Sequence, residues 1–126
     1  MEINKKIGKF GEDVAAKYLI KNGYSILARN HKEKFDEIDI VARRFDGVLI
    51  FCEVKTVKLN FLTFPHKMTP EDHMNFNKIK KLVRASNIFA AKYPWLVDEE
   101  KGWQIDLIAV TIAEGRTIDI NHYENV

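Results

Sequence analysis

The stretch from Ile38 to Lys55, IDIVARRFDGVLIFCEVK, constrains this chain more than any other part of it. Two apolar, β-branched runs flank Phe45-Asp46-Gly47, the pattern of two strands joined by a tight turn. Asp39, Glu53 and Lys55 sit inside or at the end of those runs. A carboxylate among apolar strand residues is expensive to bury alone, so these charges need partners. A three-residue loop, a type I turn followed by a left-handed residue, fits with Gly47 in last place. Under that loop Arg44 faces Val48, Asp39 falls opposite Glu53, and Glu37 opposite Lys55. These four charges share a face with Val41 and Phe51, while Ile38, Ile40, Ala42, Ile50, Cys52 and Val54 make the apolar face. Facing side chains have Cβ atoms roughly 4.5–5.5 Å apart, so two carboxylates there require a shared proton or a cation. A two-residue Asp46-Gly47 loop would instead divide Asp39 and Glu53 between the two faces. Within the first register a second arrangement is open, in which Glu37 pairs with Lys55 and a proton is shared between Asp39 and Glu53.

Residues 3–22 read as a helix, with Ile7, Phe10, Val14 and Tyr18 at helical spacing and Gly11, Ala15 and Leu19 widening the stripe. Glu12 falls at the margin of that face, either aimed toward the core or paired with Lys9 or Lys5. Asn22-Gly23 ends the helix. Tyr24–Arg29 alternates as a strand, and residues 30–35 read as a basic loop. After Thr56 the periodicity is lost, in a loop where Phe61 and Phe64 are interleaved with lysines, either exposed or capping the core. Thr69-Pro70-Glu71-Asp72 carries the capping residue, first-turn proline and acids of a helix start, and that helix runs to about Ala91 or Tyr93. An acidic connector over residues 94–102 leads to a buried strand at 104–112, a turn at Gly115 and an edge strand at 117–122. The order predicts an α/β fold in one domain spanning residues 1–126. Its mixed five-stranded sheet is flanked by two main helices, with the second helix crossing over to set the fourth strand parallel to the third.

Composition removes several function classes. One cysteine, Cys52, allows no internal disulfide framework, and with four scattered histidines it makes a structural zinc site a poor fit. No apolar run approaches the roughly 18 residues of a membrane span, and no signal peptide is evident, which together point to the cytoplasm. The net charge is +2, but residues 55–84 carry seven basic side chains against two acidic ones, and residues 97–126 carry the reverse, two against seven. One basic face is therefore expected, as a nucleic-acid partner would need. Lys78, Lys81 and Arg84, spaced at three, share a helix face; a solvated helix surface gives the same pattern.

Asp39 and Glu53, with Glu12 nearby, form a hard-oxygen donor set suited to Mg²⁺ or Mn²⁺, and Lys55 stands beside it. A carboxylate-held cation of this kind stabilises charge on a phosphoryl oxygen, and an ammonium can share that task.

The spacing D-x13-E-x-K across a hairpin looks like the PD-(D/E)xK nuclease motif, with Asp39, Glu53 and Lys55 as its signature residues. Around it stand, in order, GKFGE at 8–12, A-x-x-YL at 15–19, GY at 23–24, RN at 29–30, EIDI at 37–40, FCEVKT at 51–56, K-x-x-KL at 78–82 and QIDL at 104–107. That set resembles the YraN-like family of small predicted endonucleases, which is similar to archaeal Holliday junction resolvases. The resemblance spans nearly the whole chain and implies a restriction-endonuclease-like core. It also implies a metal site of Glu12, Asp39 and Glu53, catalysis by these three with Lys55, and nucleic-acid contacts by Lys58, Lys78, Lys81 and Arg84. Asp36, Val57 and Gln104 depart from the family pattern, standing where glycine, a basic residue and arginine are usual. The function implied is Mg²⁺- or Mn²⁺-dependent cleavage of DNA, including branched or damaged DNA, by a chain that would form a homodimer. The other reading is a nucleic-acid-binding module whose nuclease site is vestigial or completed by a partner.

Overall fold

A computed structural model describes residues 2–34, 36–58 and 76–126. Helix α1, Glu2–Lys21, lays Ile7, Val14, Ala15, Tyr18 and Leu19 on one face of a sheet. It ends at Gly23, whose φ of +88° is one that side-chain-bearing residues seldom adopt. There the Gly23 N–H donates to the Ile20 carbonyl at 3.1 Å and the Tyr24 N–H to the Leu19 carbonyl at 3.0 Å. These paired bonds satisfy two carbonyls that the helix end would leave without partners.

Three strands follow as an antiparallel meander: β1, Ser25–Glu33; β2, Asp36–Arg43; and β3, Leu49–Lys58. Helix α2, Phe76–Lys92, crosses to the other face. After a 3-10 turn at Pro94–Leu96, β4, Trp103–Ala113, lies parallel to β3, and β5, Arg116–Tyr123, closes the edge. Spatial order equals chain order, β1-β2-β3-β4-β5, with a helix on either side, the α/β architecture the sequence predicts. Residues 59–75, where the sequence leads one to expect an aromatic loop with Phe61 and Phe64 and a helix start at Thr69–Asp72, lie outside the described residues. Among the described residues no helix is long and apolar enough to cross a membrane.

The central strands are apolar on both faces because both are covered. On the α1 side Ala15 and Leu19 meet Ile40, Ala42, Ile50, Cys52, Ile108 and Val110. On the α2 side Leu82, Ala85 and Phe89 meet Ile38, Val41, Leu49, Phe51 and Leu107. Phe51 packs edge-on against Phe89 and Trp103, with ring centroids 5.5 and 5.3 Å away. Burying a side chain of that size contributes about 2–3 kcal/mol.

The hairpin turns as its sequence predicts. The Arg44 N–H donates to the Val48 carbonyl at 2.9 Å, Gly47 has φ +94°, and Ile40 pairs with Cys52, Val41 with Phe51 and Arg43 with Leu49. Two expectations built on this register fail beyond those pairs. The β2–β3 ladder ends at Ile40–Cys52, so Asp39 does not face Glu53 in a ladder, nor Glu37 Lys55. The strands separate there, and the Val54 N–H is taken by the Asp39 carboxylate at 2.8 Å. Ile38, expected on the α1 face with Ile40, lies instead in the α2 core. A third correction concerns residues 30–35: β1 runs on through this basic segment to Glu33. Tertiary partners override its weak strand propensity, since Glu33 is covered by His31 at 2.7 Å and by Lys92 of α2 at 2.8 Å.

Candidate active site

The three sequence-predicted carboxylates meet where β2 leaves β3. A cavity of about 500 Å³ is lined by Glu12 from α1, Asp39 from β2, Glu53, Lys55 and Lys58 from β3, and Lys78 from α2. Each arrives by a different route. Glu12 points in because α1 lies close to β3 at this level: a Cβ added to Gly11 would overlap the Thr56 hydroxyl and come within 2.9 Å of the Thr56 Cβ. Asp39 is turned toward β3 by its bond to the Val54 N–H. Glu53 and Lys55 are successive outward positions on one face of β3, as strand alternation requires. Lys78, in the first turn of α2, places its ammonium 3.0 Å from Glu53.

The electrostatics are those of carboxylates crowded together. Burial pushes the Asp39 carboxyl up, the neighbouring Glu53 charge adds to this, and Glu12 and Glu37 add further, so that against the pull of the Val54 N–H it reaches about 7. Glu12 is also raised, by burial and by Glu37 and Asp13, and is pulled back by the nearby Asn30 side-chain amide and by Arg29. The expected alternative for Glu12, pairing with Lys9 or Lys5, is not what forms. Among the described residues Lys9 pairs with Asp13 at 3.6 Å, and Glu12 has only a long contact of 3.9 Å to Arg29. Nor does any ion pair join Glu37 to Lys55 among the described residues; Glu53 pairs with Lys78 instead. The three carboxylates are oxygen donors of the kind a hard divalent cation takes, but among the described residues only Asp106, His122 and Glu124 bring three ligand atoms within 4.8 Å of one another.

The four basic positions separate. Lys58 and Lys78 line the cavity. Lys81 and Arg84 lie further along α2 and are exposed. The Arg84 guanidinium is held by both oxygens of Asp36, at 2.8 and 2.9 Å, a bidentate pair that docks α2 on β2. Asp36, one of the departures from the family pattern, thus has a structural partner.

A second polar group was not anticipated. Asp106 is fully buried in β4 and accepts hydrogen bonds from the Gln104 side chain at 2.9 Å and the Asn125 N–H at 3.0 Å, and it lies 2.6 Å from His122 Nε2. The other ring nitrogen of His122 meets the Tyr18 hydroxyl at 2.9 Å. Burial raises the Asp106 carboxyl, but bonds from His122, Asn125 and Gln104 outweigh it and hold it below the ordinary carboxylate range. With Glu124 these side chains form a group whose possible ligand atoms all lie within 4.8 Å of one another, close enough to hold a metal ion. Here, however, the Asp106 oxygens and both His122 nitrogens are already engaged with one another or with neighbours, and Glu124 pairs with Arg44 at 3.1 Å. The arrangement joins α1, β4 and β5 rather than leaving donors open. The signal for it in the sequence is a lone aspartate inside an otherwise apolar strand.

Comparison with known proteins places matches along most of the chain. Residues 11–110 match the family described as Uncharacterised protein family UPF0102. A UPF0102 protein of Campylobacter fetus is 39% identical over 100 residues, 79% of either chain. One from Pseudothermotoga lettingae is 36% identical over 118 residues, 94% of this chain and 95% of the relative. One from Syntrophomonas wolfei is 31% identical over 123 residues, 98% of both. Among solved structures, Pyrococcus furiosus SfsA in complex with Ca²⁺ aligns over 96% of this chain at a TM-score of 0.38 and 17% identity, and this chain spans 63% of that one.

Proposed function

We propose that this chain, which belongs to the UPF0102 family, the YraN-like group, is a Mg²⁺- or Mn²⁺-dependent endonuclease hydrolysing phosphodiester bonds of DNA, branched or damaged DNA included. The observation that carries this reading is the meeting of Glu12, Asp39 and Glu53 on one open cavity beside Lys55. Those carboxylates would hold the cation, which supplies Lewis-acid stabilisation of a phosphoryl oxygen. The chain's own residues do the rest. Lys55 presents an ammonium to the same cavity and can neutralise charge developing on the phosphate. Lys58 and Lys78 line the mouth and attract the phosphodiester backbone. Lys78 holds Glu53 at 3.0 Å, which keeps that carboxylate oriented, and exchanging this partner for a phosphate lets the same lysine serve binding.

A second reading draws on that same contact. An ammonium already neutralising Glu53 supports a nucleic-acid-binding module whose cleavage site is vestigial or needs a partner protein. One experiment separates the two. Labelled four-way, single-stranded and duplex DNA are incubated with Mn²⁺ and the wild-type, Asp39→Ala or Glu53→Ala protein. The nuclease reading expects cleavage by the wild type only, with both variants folded. Cleavage at the wild-type rate by either variant overturns the site. Salt-sensitive binding with no cleavage by any of the three supports the binding module.

A further inference from the structure

We propose that Asn30 is a positioning residue of this site: its left-handed backbone turns β1 and β2 over together, and its side chain holds Glu12. This role presupposes the metal centre proposed above. In an unbroken strand, residues two apart share a face. On either side of Asn30 and Asp39 they do not. Arg29 reaches Asp13 of α1 at 2.7 Å, whereas His31 packs edge-on against Phe89 of α2, with ring centroids 5.0 Å apart. On the neighbouring strand Ile40 lies in the α1 core, whereas Ile38 lies in the α2 core and Asp36 is bound to Arg84 of α2.

Both strands therefore reverse face at the same level without losing register. Arg29 still pairs with Ile40 and His31 with Ile38, while the pair between them, Asn30 with Asp39, is missing from the ladder. A reversal of this kind needs a residue outside the extended region, and Asn30 supplies it with φ +51°. Asparagine is among the few residues with a side chain that tolerate that region.

The consequence falls on the carboxylates. With plain alternation Asp39 would continue the row of Val41, on the α2 side where Glu53 meets Lys78. Turned over, it lies between the separating strands with its carboxylate on the Val54 N–H and lines the cavity. The Asn30 side chain meanwhile stands beside Glu12 in a small recess that the two share with Arg29 and Lys9, where its amide favours the Glu12 carboxylate. One residue thus fixes two of the three proposed ligands without entering the cation's place.

The test uses Mn²⁺ titration calorimetry and thermal denaturation on the whole chain, with wild type, Asp39→Ala, Asn30→Gly and Asn30→Val. Glycine keeps the left-handed backbone and removes only the contact to Glu12. It should leave the melting temperature near the wild-type value and weaken Mn²⁺ binding about 10-fold, the usual scale for groups that orient metal ligands. Valine opposes the reversal itself and should weaken binding by roughly 100-fold, the top of that range. If Asn30→Val does not fold, Asn30→Gly decides alone. Wild-type affinity in Asn30→Gly overturns the role in holding Glu12, and wild-type affinity in a folded Asn30→Val overturns the role in turning Asp39. If the wild type binds no Mn²⁺ that Asp39→Ala abolishes, the metal centre itself falls and the Asn30 role with it.

Discussion

Gly11 and Gly8 occupy the same helix one turn apart, and the structure separates them sharply. In a helix interior glycine is about 1 kcal/mol less favourable than alanine, so Gly→Ala at an open position stabilises by about that amount. Gly8 is such a position: an added Cβ meets nothing within 4 Å. At Gly11 the same Cβ would overlap the Thr56 hydroxyl and stand 2.9 Å from the Thr56 Cβ. Rotating the Thr56 side chain removes the first overlap but not the second, because the Cβ is fixed to the strand backbone. Relief then requires α1 to lift off β3, and such overpacking costs about 1–3 kcal/mol. Set against the propensity gain, Gly11→Ala should be between neutral and about 2 kcal/mol less stable than wild type, while Gly8→Ala is about 1 kcal/mol more stable. For a chain of this length that corresponds to roughly 4 °C in melting temperature per kcal/mol. Thermal and urea denaturation of the two variants side by side read the difference, and Mn²⁺ titration of Gly11→Ala reads the accompanying displacement of Glu12. Equal stabilisation by both substitutions would refute the close approach of α1 to β3, and with it the placement of Glu12 on the cavity.

Three further outcomes are expected. Because the folded state binds a proton at Asp39 more tightly than the unfolded chain, with its carboxyl raised from 3.8 to about 7, this group costs stability as pH rises from about 4 to 7. Asp39→Asn should remove that loss, at most roughly 4 kcal/mol from the pKa difference and less with screening by water, so urea denaturation across that pH range should show the variant gaining on the wild type as pH rises. Identical pH profiles would show that the carboxylates are not crowded. His122→Ala withdraws a partner from the fully buried Asp106 and should destabilise by about 2–4 kcal/mol in urea denaturation, whereas EDTA added to the wild type should leave this part of the fold unchanged. Finally, Lys81→Ala should weaken DNA binding and lower the slope of log affinity against log salt by about 1, while Arg84→Ala, whose charge Asp36 already holds, changes the slope by less. A larger effect at Arg84 would mean that this pair opens on the nucleic acid.

Much of the fold was legible because the relevant signals are local. Phe45-Asp46-Gly47 specified its loop and the hairpin register near it, Gly23 ended α1 where a left-handed residue was needed, and helical and two-residue periodicities gave the element order. The proposed ligands were legible for the same reason: carboxylates in or beside apolar runs stand out against their neighbours. Which side those residues face was not local. Alternation puts Ile38 with Ile40 and Asp39 across from Glu53, and it holds only while every residue stays extended; Asn30, on the neighbouring strand, breaks it for both. The ion pairs Lys78–Glu53 and Arg84–Asp36 depend on how α2 crosses the sheet, and Tyr18 finds His122 across 104 residues of chain. Sequence determined which side chains carry charge into an apolar fold, because burial cost is a property of residue and neighbourhood. Only the tertiary structure decided which charges meet, because strands reverse faces and helices dock through contacts that no local period encodes.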